Sequence, residues 1–343
     1  MYNPMSSIIR EAKRVEGEPL NILTFVAHER YEPSLCETGH NFYSVITEGT
    51  RYWHTEYAPI PPNYTIFRDE IPHHILSDID LIISHNPFVH IPLAHKLHLS
   101  VPVINIFHTM PPPGWNSQNI PADAKSMLDW CDEHVFISEF NKLAWGYNRG
   151  EIIHHGIDTN QFCLPTCGCD DYGHSYGCGG NPKRNKRILT VANDYINRDW
   201  CLGFGIWKAI APDLPMYPIG ATPGLSKPAE SLEHMIDIYQ TSQVFLNTST
   251  ASPIPMSLLE AMSCGCACVS AATCMIPDII EDGINGYLCP PHKPEMFKHR
   301  CQHLLDHPSE AEMMGYNARE TIKSMFGLKR FTDEFNEVIQ GVL

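Results

Sequence analysis

A chain of 343 residues is long enough for about two domains, each with its own core. Its 43% apolar and 18% charged content excludes a disordered chain, and a formal charge of −15 argues against a protein that coats nucleic acid or clings to acidic membranes by charge. The opening MYNPMSSIIREAKRVEGEPLN lacks an apolar signal core, and no run approaches the roughly 18 apolar residues of a membrane span. Thirteen cysteines without a secretion signal then lead us to expect free thiols and a cytoplasmic location.

Short apolar runs set the predicted elements. Leu20–His28 reads as a buried strand, followed by Phe42–Ile46, Tyr64–Phe67, Leu81–Ser84, Val101–His108, His134–Ser138 and Glu151–Asp158. Stretches of helical length, such as Asn86–Leu99 and Pro121–Cys131, fall between several of them. Continuous apolar strands interleaved with helices predict a parallel sheet covered on both faces. The pattern stops near Phe162. Residues 163–186 are rich in Gly, Cys and polar side chains and read as a linker or insert. The alternation then restarts with Arg187–Asn193, Met216–Gly220, Val244–Ser249, Cys266–Ala271 and Gly286–Cys289, and helical stretches close the chain. The expectation is α/β: two doubly wound Rossmann-like domains, 1–162 and 187–343, facing across a cleft, with the last helix returning to the first domain. Such folds bind ligands at the carboxyl ends of their strands.

The second half contains one acidic residue in a small and apolar run, TASPIPMSLLEAMSCGCACVSA (Thr250–Ala271). Two prolines make Ser252–Pro255 a turn, and MSLLEAMSC reads as a helix stopped by Gly265. A helix that starts at the end of a parallel strand aims free N–H groups at an anion such as a diphosphate. Glu260 lies near that helix start, where a carboxylate can accept two hydrogen bonds from a ribose diol; its plainer reading is a surface glutamate. Ser252, Ile254, Met256 and Ser257 border the turn and are candidate donor-binding residues.

The block SLLEAMSCGCACVSAATCMIPDIIEDGINGYL resembles the signature of the family 4 nucleotide-sugar glycosyltransferases of the GT-B fold. That family carries a Glu-x7-Glu motif, a strand, and a trailing Pro-acidic and Gly-x-x-Gly turn. Glu260 matches the second glutamate, which in the family binds the nucleotide ribose, and Pro277, Asp278, Gly283, Asn285 and Gly286 match the trailing turn. GHNFYSV (Gly39–Val45), FISEF (Phe136–Phe140) and HHGIDTNQF (His154–Phe162) resemble further family motifs, and NIFHT puts His108 where the family has a histidine near the donor sugar. The resemblance implies transfer of a sugar from a nucleotide donor, a UDP-, GDP- or ADP-sugar, with retention of configuration and no required metal.

The departures are specific. The first glutamate of the motif falls on Ser252, and the family's Gly-Arg-x4-Lys-Gly falls on Ala192-Asn193 to Arg198-Asp199, so Arg198 keeps one cationic role and Asn193 cannot supply the other. Ala27-His28-Glu29-Arg30-Tyr31 replaces the N-terminal glycine-rich loop, which makes His28 and Glu29 candidates to face the sugar and acceptor. The candidates are therefore His108, Arg198 and Glu260 for catalysis, which match family positions, and His28, Glu29, Asn193, Ser252, Ile254, Met256 and Ser257 for substrate binding. The same departures fit an alternative: a nucleotide-sugar-binding relative without turnover. Epimerase and phosphorylase chemistries of the same fold explain the block less well.

Cys163, Cys167, Cys169 and Cys178, with His174 among them, are enough ligands for a structural zinc, but the spacing is not that of a finger or ribbon, and the plain alternative is an insert with free thiols. Glycan, lipid and small-molecule acceptors all fit. DNA bases as acceptors are the weakest option given the net charge, with only Lys183, Arg184, Lys186 and Arg187 as a local basic cluster.

Overall fold

The computed structural model describes residues 17–97, 99–112, 114–115, 119–165 and 184–343. The chain forms two compact units. Unit 1 runs to His154 and regains the chain at Lys329–Leu343; unit 2 is His155–Leu328.

Unit 1 is a parallel sheet of seven strands: β1 (Asn21–Thr24), β2 (Asn41–Ile46), β3 (Tyr64–Arg68), β4 (Leu81–Ser84), β5 (Val103–Phe107), β6 (Glu133–Phe136) and β7 (Glu151–Ile152). Their spatial order is β3-β2-β1-β4-β5-β6-β7. The helices α1 (Glu32–Cys36), α2 (His73–Leu76), α3 (Pro87–Lys96), α4 (Ala122–Leu128) and α5 (Glu139–Trp145) lie between strands. Strands β4 and β5 are buried at every position, as an apolar run covered on both faces requires. Local chemistry sets the helix ends. The Asn86 side chain accepts from the Phe88 amide ahead of Pro87 to start α3, and Ser138 accepts from the Asn141 amide to start α5.

Unit 2 has a five-stranded parallel sheet, β8 (Asn185–Val191), β9 (Met216–Ile219), β10 (Ser242–Asn247), β11 (Ala267–Ala271) and β12 (Tyr287–Cys289), ordered β12-β11-β10-β8-β9. Between and after them come α6 (Asp199–Leu202), α7 (Phe204–Ile210), α8 (Leu232–Thr241), α9 (Met256–Ser263), α10 (Ile276–Ile279), α11 (Pro294–Asp306), α12 (Pro308–Met325) and α13 (Leu328–Val342), the last of which passes into unit 1. One core cluster joins Ile188 of β8, Val244 and Leu246 of β10 and Val269 of β11 with Trp207 of α7 and with Phe297 and Leu304 of α11.

Two doubly wound halves are therefore present. Some strands, β1, β5 and β7 above all, are shorter than their apolar runs. β1 stops at Thr24 because the chain turns at His28, whose carbonyl accepts from the Tyr31 and Glu32 amides. The run Glu151–Asp158 gives only a two-residue strand. The rest is held by unit 2: the Ile157 amide donates to the Phe326 carbonyl, and the Arg319 guanidinium binds the carbonyls of Thr159 and Phe162. These bonds move the boundary to His154/His155, ahead of residue 162. β8 begins at Asn185, so the last part of the predicted linker region is sheet. Among the described residues no helix is long and apolar enough to cross a membrane.

Candidate functional site

In each unit the strand order reverses at one point, and there the carboxyl ends of neighbouring strands lead away in opposite directions, leaving a crevice suited to a ligand. In unit 2 that point lies between β8 and β10. After β10 the chain passes through the buried Thr248 and Ser249, then Ser252–Pro255, into α9. Ser252, Met256 and Ser257 are half-buried at this edge, while Ile254 is buried. The Leu258 and Leu259 amides turn back onto the Pro255 carbonyl, at 3.1 and 3.3 Å. The Met256 and Ser257 amides have no backbone partner among the described residues, as expected for the first turn of a helix.

Glu260 is on the inward face of α9 and is only 3% exposed, which rules out the surface reading. The Tyr239 hydroxyl of α8 donates to its Oε2 at 2.8 Å, and Tyr239 is fully buried. Burying a carboxylate is costly unless it is hydrogen-bonded. The Tyr239 ring in turn packs edge-on against Phe162. The far end of α9 is closed by a second charged group. Arg184 donates to the carbonyls of Cys264, Tyr239 and Ser242, a cation at the negative end of the helix dipole.

Arg198 stands just ahead of α6 after β8 and is exposed. Its loop is fastened to the loop after β10. The Thr250 amide donates to the Cys201 carbonyl at 2.8 Å, and the Thr250 hydroxyl to the Trp200 carbonyl at 3.0 Å. The Thr248 hydroxyl donates to the Leu202 carbonyl at 2.7 Å and also meets the Tyr195 hydroxyl. Gly203 makes this approach feasible: with φ +69, a Cβ there would lie 2.1 Å from the Thr248 carbonyl oxygen. The structure thus brings Arg198 and Ser252 onto neighbouring loops at the switch point. Asn193 is exposed at the end of β8, and its Oδ1 accepts from the Ala221 amide at 2.8 Å, a turn-holding bond.

The trailing motif holds the fold. The Asn285 side chain is buried, donates to the Ile279 carbonyl and the Thr321 hydroxyl, and accepts from the Glu281 amide. A Cβ on Gly286 would lie 2.9 Å from Ile280.

In unit 1 the reversal lies between β1 and β4. Thr24 ends β1, His85 follows β4 and His108 follows β5. Thr24 Oγ1 and His85 Nε2 are 3.1 Å apart, and His85 Nδ1 and His108 Nε2 are 2.9 Å apart. Tyr31 sets its ring edge-on to His108, with centroids 4.5 Å apart, and also packs edge-on against Phe331 of α13. Burial holds the His85 and His90 imidazoles neutral, both lowered to about 3. His90 accepts at Nδ1 from the His85 and Asn86 amides.

His28 and Glu29 point apart. His28 is exposed, whereas Glu29 is buried, accepting from the His54 amide at 3.1 Å with Arg51 3.8 Å away. Its carboxylate therefore steadies the 51–54 segment. The loop holds a second buried carboxylate that sequence reasoning missed. Glu32 Oε1 accepts from the Ala27 and His28 amides, and burial raises Glu32 to about 7. Also missed were Tyr239, His85 and Thr24. His85 left a signal, because it follows its strand as His108 follows the next; Tyr239 left none, since nothing near it in sequence names Glu260 as its partner.

Of the cysteine set, only Cys163 is described, accepting from the Gln240 carboxamide at 3.6 Å; Cys167, Cys169 and Cys178, with His174, lie outside the described residues. Among the described residues no group of three or more His, Cys, Asp or Glu could hold a metal. Two members of the basic cluster are engaged within the fold, while Lys186 is exposed. Arg184 caps α9, and Arg187 donates to Ser242 and Thr241 while lying over the Tyr217 ring. Neither guanidinium is available to a phosphate backbone, and Lys183 lies outside the described residues.

Comparison with known proteins agrees with this geometry. Residues 228–321, which include Tyr239, Ser252 and Glu260, match the family model "Glycosyl transferases group 1". An uncharacterized glycosyltransferase of Methanocaldococcus jannaschii is 28% identical over 112 residues, 32% of this chain and 29% of that protein. N-acetyl-alpha-D-glucosaminyl L-malate synthase of Bacillus anthracis is 26% identical over 111 residues, again 32% and 29%. The matched part thus spans less than a third of these relatives. Among solved structures, Anabaena HepE in complex with UDP-glucose has a TM-score of 0.68 at 12% identity, covering 94% of this chain and 100% of that one. Sucrose-phosphate synthase of Thermosynechococcus elongatus has a TM-score of 0.66 at 13% identity, covering 94% and 98%. Two parallel α/β units of this order give the chain the GT-B fold, and residues 228–321 of its second unit are similar to the group 1 glycosyl transferases.

Proposed function

We propose that the protein is a glycosyltransferase that moves a sugar from a nucleotide-sugar donor to an acceptor hydroxyl with retention of configuration and without a required metal. The observation that carries this reading is Glu260. It is the one carboxylate of its helix, buried at a sheet's switch point inside the group 1 segment and fixed by Tyr239.

Glu260 accepts from the ribose diol. The Met256 and Ser257 amides and the Arg198 guanidinium hold the diphosphate, whose charge grows as the bond from sugar C1 to the phosphate oxygen breaks; fixed donors at that oxygen lower the barrier. The acceptor oxygen bonds to C1, and its proton passes to the departing phosphate oxygen, so no side chain need act as base. His108 serves the sugar. Glu29 is left out of the substrate roles because its carboxylate is engaged by the 51–54 segment. The complex of HepE with UDP-glucose makes UDP-sugars the first donors to test.

A thermal-shift panel of UDP, GDP, ADP and dTDP with their sugars, on wild type and Glu260→Ala, tests the reading. Ligand at about 100 times its Kd adds about 2.7 kcal/mol. One nucleotide should stabilise wild type and not the variant. No shift with any nucleotide would overturn the donor assignment. The replacement of the motif's first glutamate by Ser252 favours the second reading, binding without turnover; donor consumption in the presence of acceptors separates the two.

A further inference from the structure

We propose that His85 is a positioning residue: relayed from Thr24, it fixes the tautomer of His108 so that the His108 ring carries its proton on Nδ1 and acts as a hydrogen-bond donor, not as a base. The proposal rests on the reading of His108 as a sugar-side residue and adds how its chemistry is set.

The three groups sit on three strands adjacent in the sheet, β1, β4 and β5, at the point where the strand order reverses. Thr24 Oγ1 to His85 Nε2 is 3.1 Å, and His85 Nδ1 to His108 Nε2 is 2.9 Å. The two rings lie 5.1 Å apart and 27° from parallel. Proton direction follows from satisfaction. Thr24 is fully buried, and His85 is the one hydrogen-bond partner of its hydroxyl among the described residues. If His85 Nε2 donated, the hydroxyl proton would be buried without an acceptor, which is the costly arrangement. The hydroxyl therefore donates to Nε2.

A neutral His85 then carries its proton on Nδ1 and gives it to His108 Nε2. A His108 that accepts at Nε2 holds its own proton on Nδ1. The groups around His85 support its neutral form. His90 accepts two backbone amides at Nδ1 and so offers no free base to His85, and Tyr31 turns a ring edge to it. No carboxylate among the described residues bonds its ring. A donor at His108 suits a sugar hydroxyl or a phosphate oxygen. It also removes the ring from competition for the acceptor's proton, which the leaving phosphate takes.

The test is nitrogen-15 labelling of histidine in the full chain, with long-range proton–nitrogen correlation spectra at neutral pH. The signals of His108 are those lost in His108→Gln. The expected wild-type pattern is a pyrrole-type Nδ1 and a pyridine-type Nε2. Thr24→Val keeps the shape, removes the hydroxyl, and should shift both His108 nitrogens toward the average of the two tautomers. A pyridine-type Nδ1 in the wild type, or a His108 pattern unchanged by Thr24→Val, overturns the proposal. In turnover, His85→Phe should lower kcat about tenfold, the scale of one misdirected hydrogen bond, with KM little changed. His85→Asn, whose carboxamide N–H can replace Nδ1–H, should recover most of it. Equal loss in the Asn and Phe variants also counts against the relay. Should no nucleotide sugar be consumed, the spectra still decide the tautomer, and only the assignment of function falls.

Discussion

The Tyr239–Glu260 pair can be measured directly. The hydroxyl-to-carboxylate distance is 2.8 Å, Tyr239 is 0% exposed and Glu260 3% exposed. A hydrogen bond to a charged group is worth about 1.5–3 kcal/mol net, and water cannot easily replace a partner at this burial. Tyr239→Phe removes one oxygen and leaves the ring packing against Phe162 and Phe245 in place. It should therefore lower the unfolding free energy by about 1.5–3 kcal/mol, read as a shift of the urea midpoint with an unchanged slope. Glu260→Gln keeps an acceptor oxygen and should cost less. A double-mutant cycle with Tyr239→Phe and Glu260→Ala isolates the pair, and its coupling energy should be about 1.5 kcal/mol or more. The same Tyr239→Phe protein should bind nucleotide more weakly, because the carboxylate is free to turn away from the ribose. Additive single effects, with coupling within about 0.3 kcal/mol of zero, would refute the reasoning that Tyr239 holds Glu260 in place.

Two further outcomes follow from burial and charge. Arg198→Ala should cut turnover about a hundredfold while leaving the unfolding midpoint within about 0.5 kcal/mol of wild type, since the side chain is exposed; a variant with normal turnover would end its assignment to the diphosphate. Acid should weaken unit 1. His85 and His90 are lowered to about 3 from 6.5, so the unfolded chain binds their protons first. Their stabilising contribution is complete above about pH 6.5 and is lost as the pH falls toward 3, at about 1.4 kcal/mol per pH unit for each ring. His90→Asn, which keeps an acceptor for the two amides, should reduce the slope of unfolding free energy against pH by that amount between about pH 6.5 and 4; an unchanged slope would mean that His90 is not held neutral by the fold.

The sheets and their order of appearance were readable because buried parallel strands announce themselves as apolar runs, and because Pro and Gly punctuate the turns around α9. The position of Glu260 was readable for the same reason: a carboxylate inside an apolar helix has to meet a partner. The identity of that partner was not, because Tyr239 comes from another helix. The loop Ala27–Tyr31 was misread in part for a similar cause. Its sequence displays His28 and Glu29 side by side, but which of two adjacent side chains turns inward depends on Arg51 and His54, which are remote in sequence. The basic run at 183–187 looked like surface charge, yet β8 begins inside it and turns Arg184 toward the end of α9. Local pattern names elements; contacts between distant elements decide which polar groups are spent on the fold and which remain for a ligand.

The return of the chain to unit 1 has a consequence for biosynthesis. Unit 2 is continuous, whereas unit 1 is completed only by residues 329–343. Phe331 and Phe335 of that segment are fully buried and press on Tyr31, the ring that leans on His108. During translation, which runs from the N-terminus and lets domains fold as units, the half made first waits for residues 329–343, while unit 2 has its whole sequence before them. A ribosome stalled before residue 329 would carry a finished unit 2 and a first unit whose Tyr31 lacks Phe331 and Phe335, so the surroundings of His108 are set in order only after unit 2 has been made.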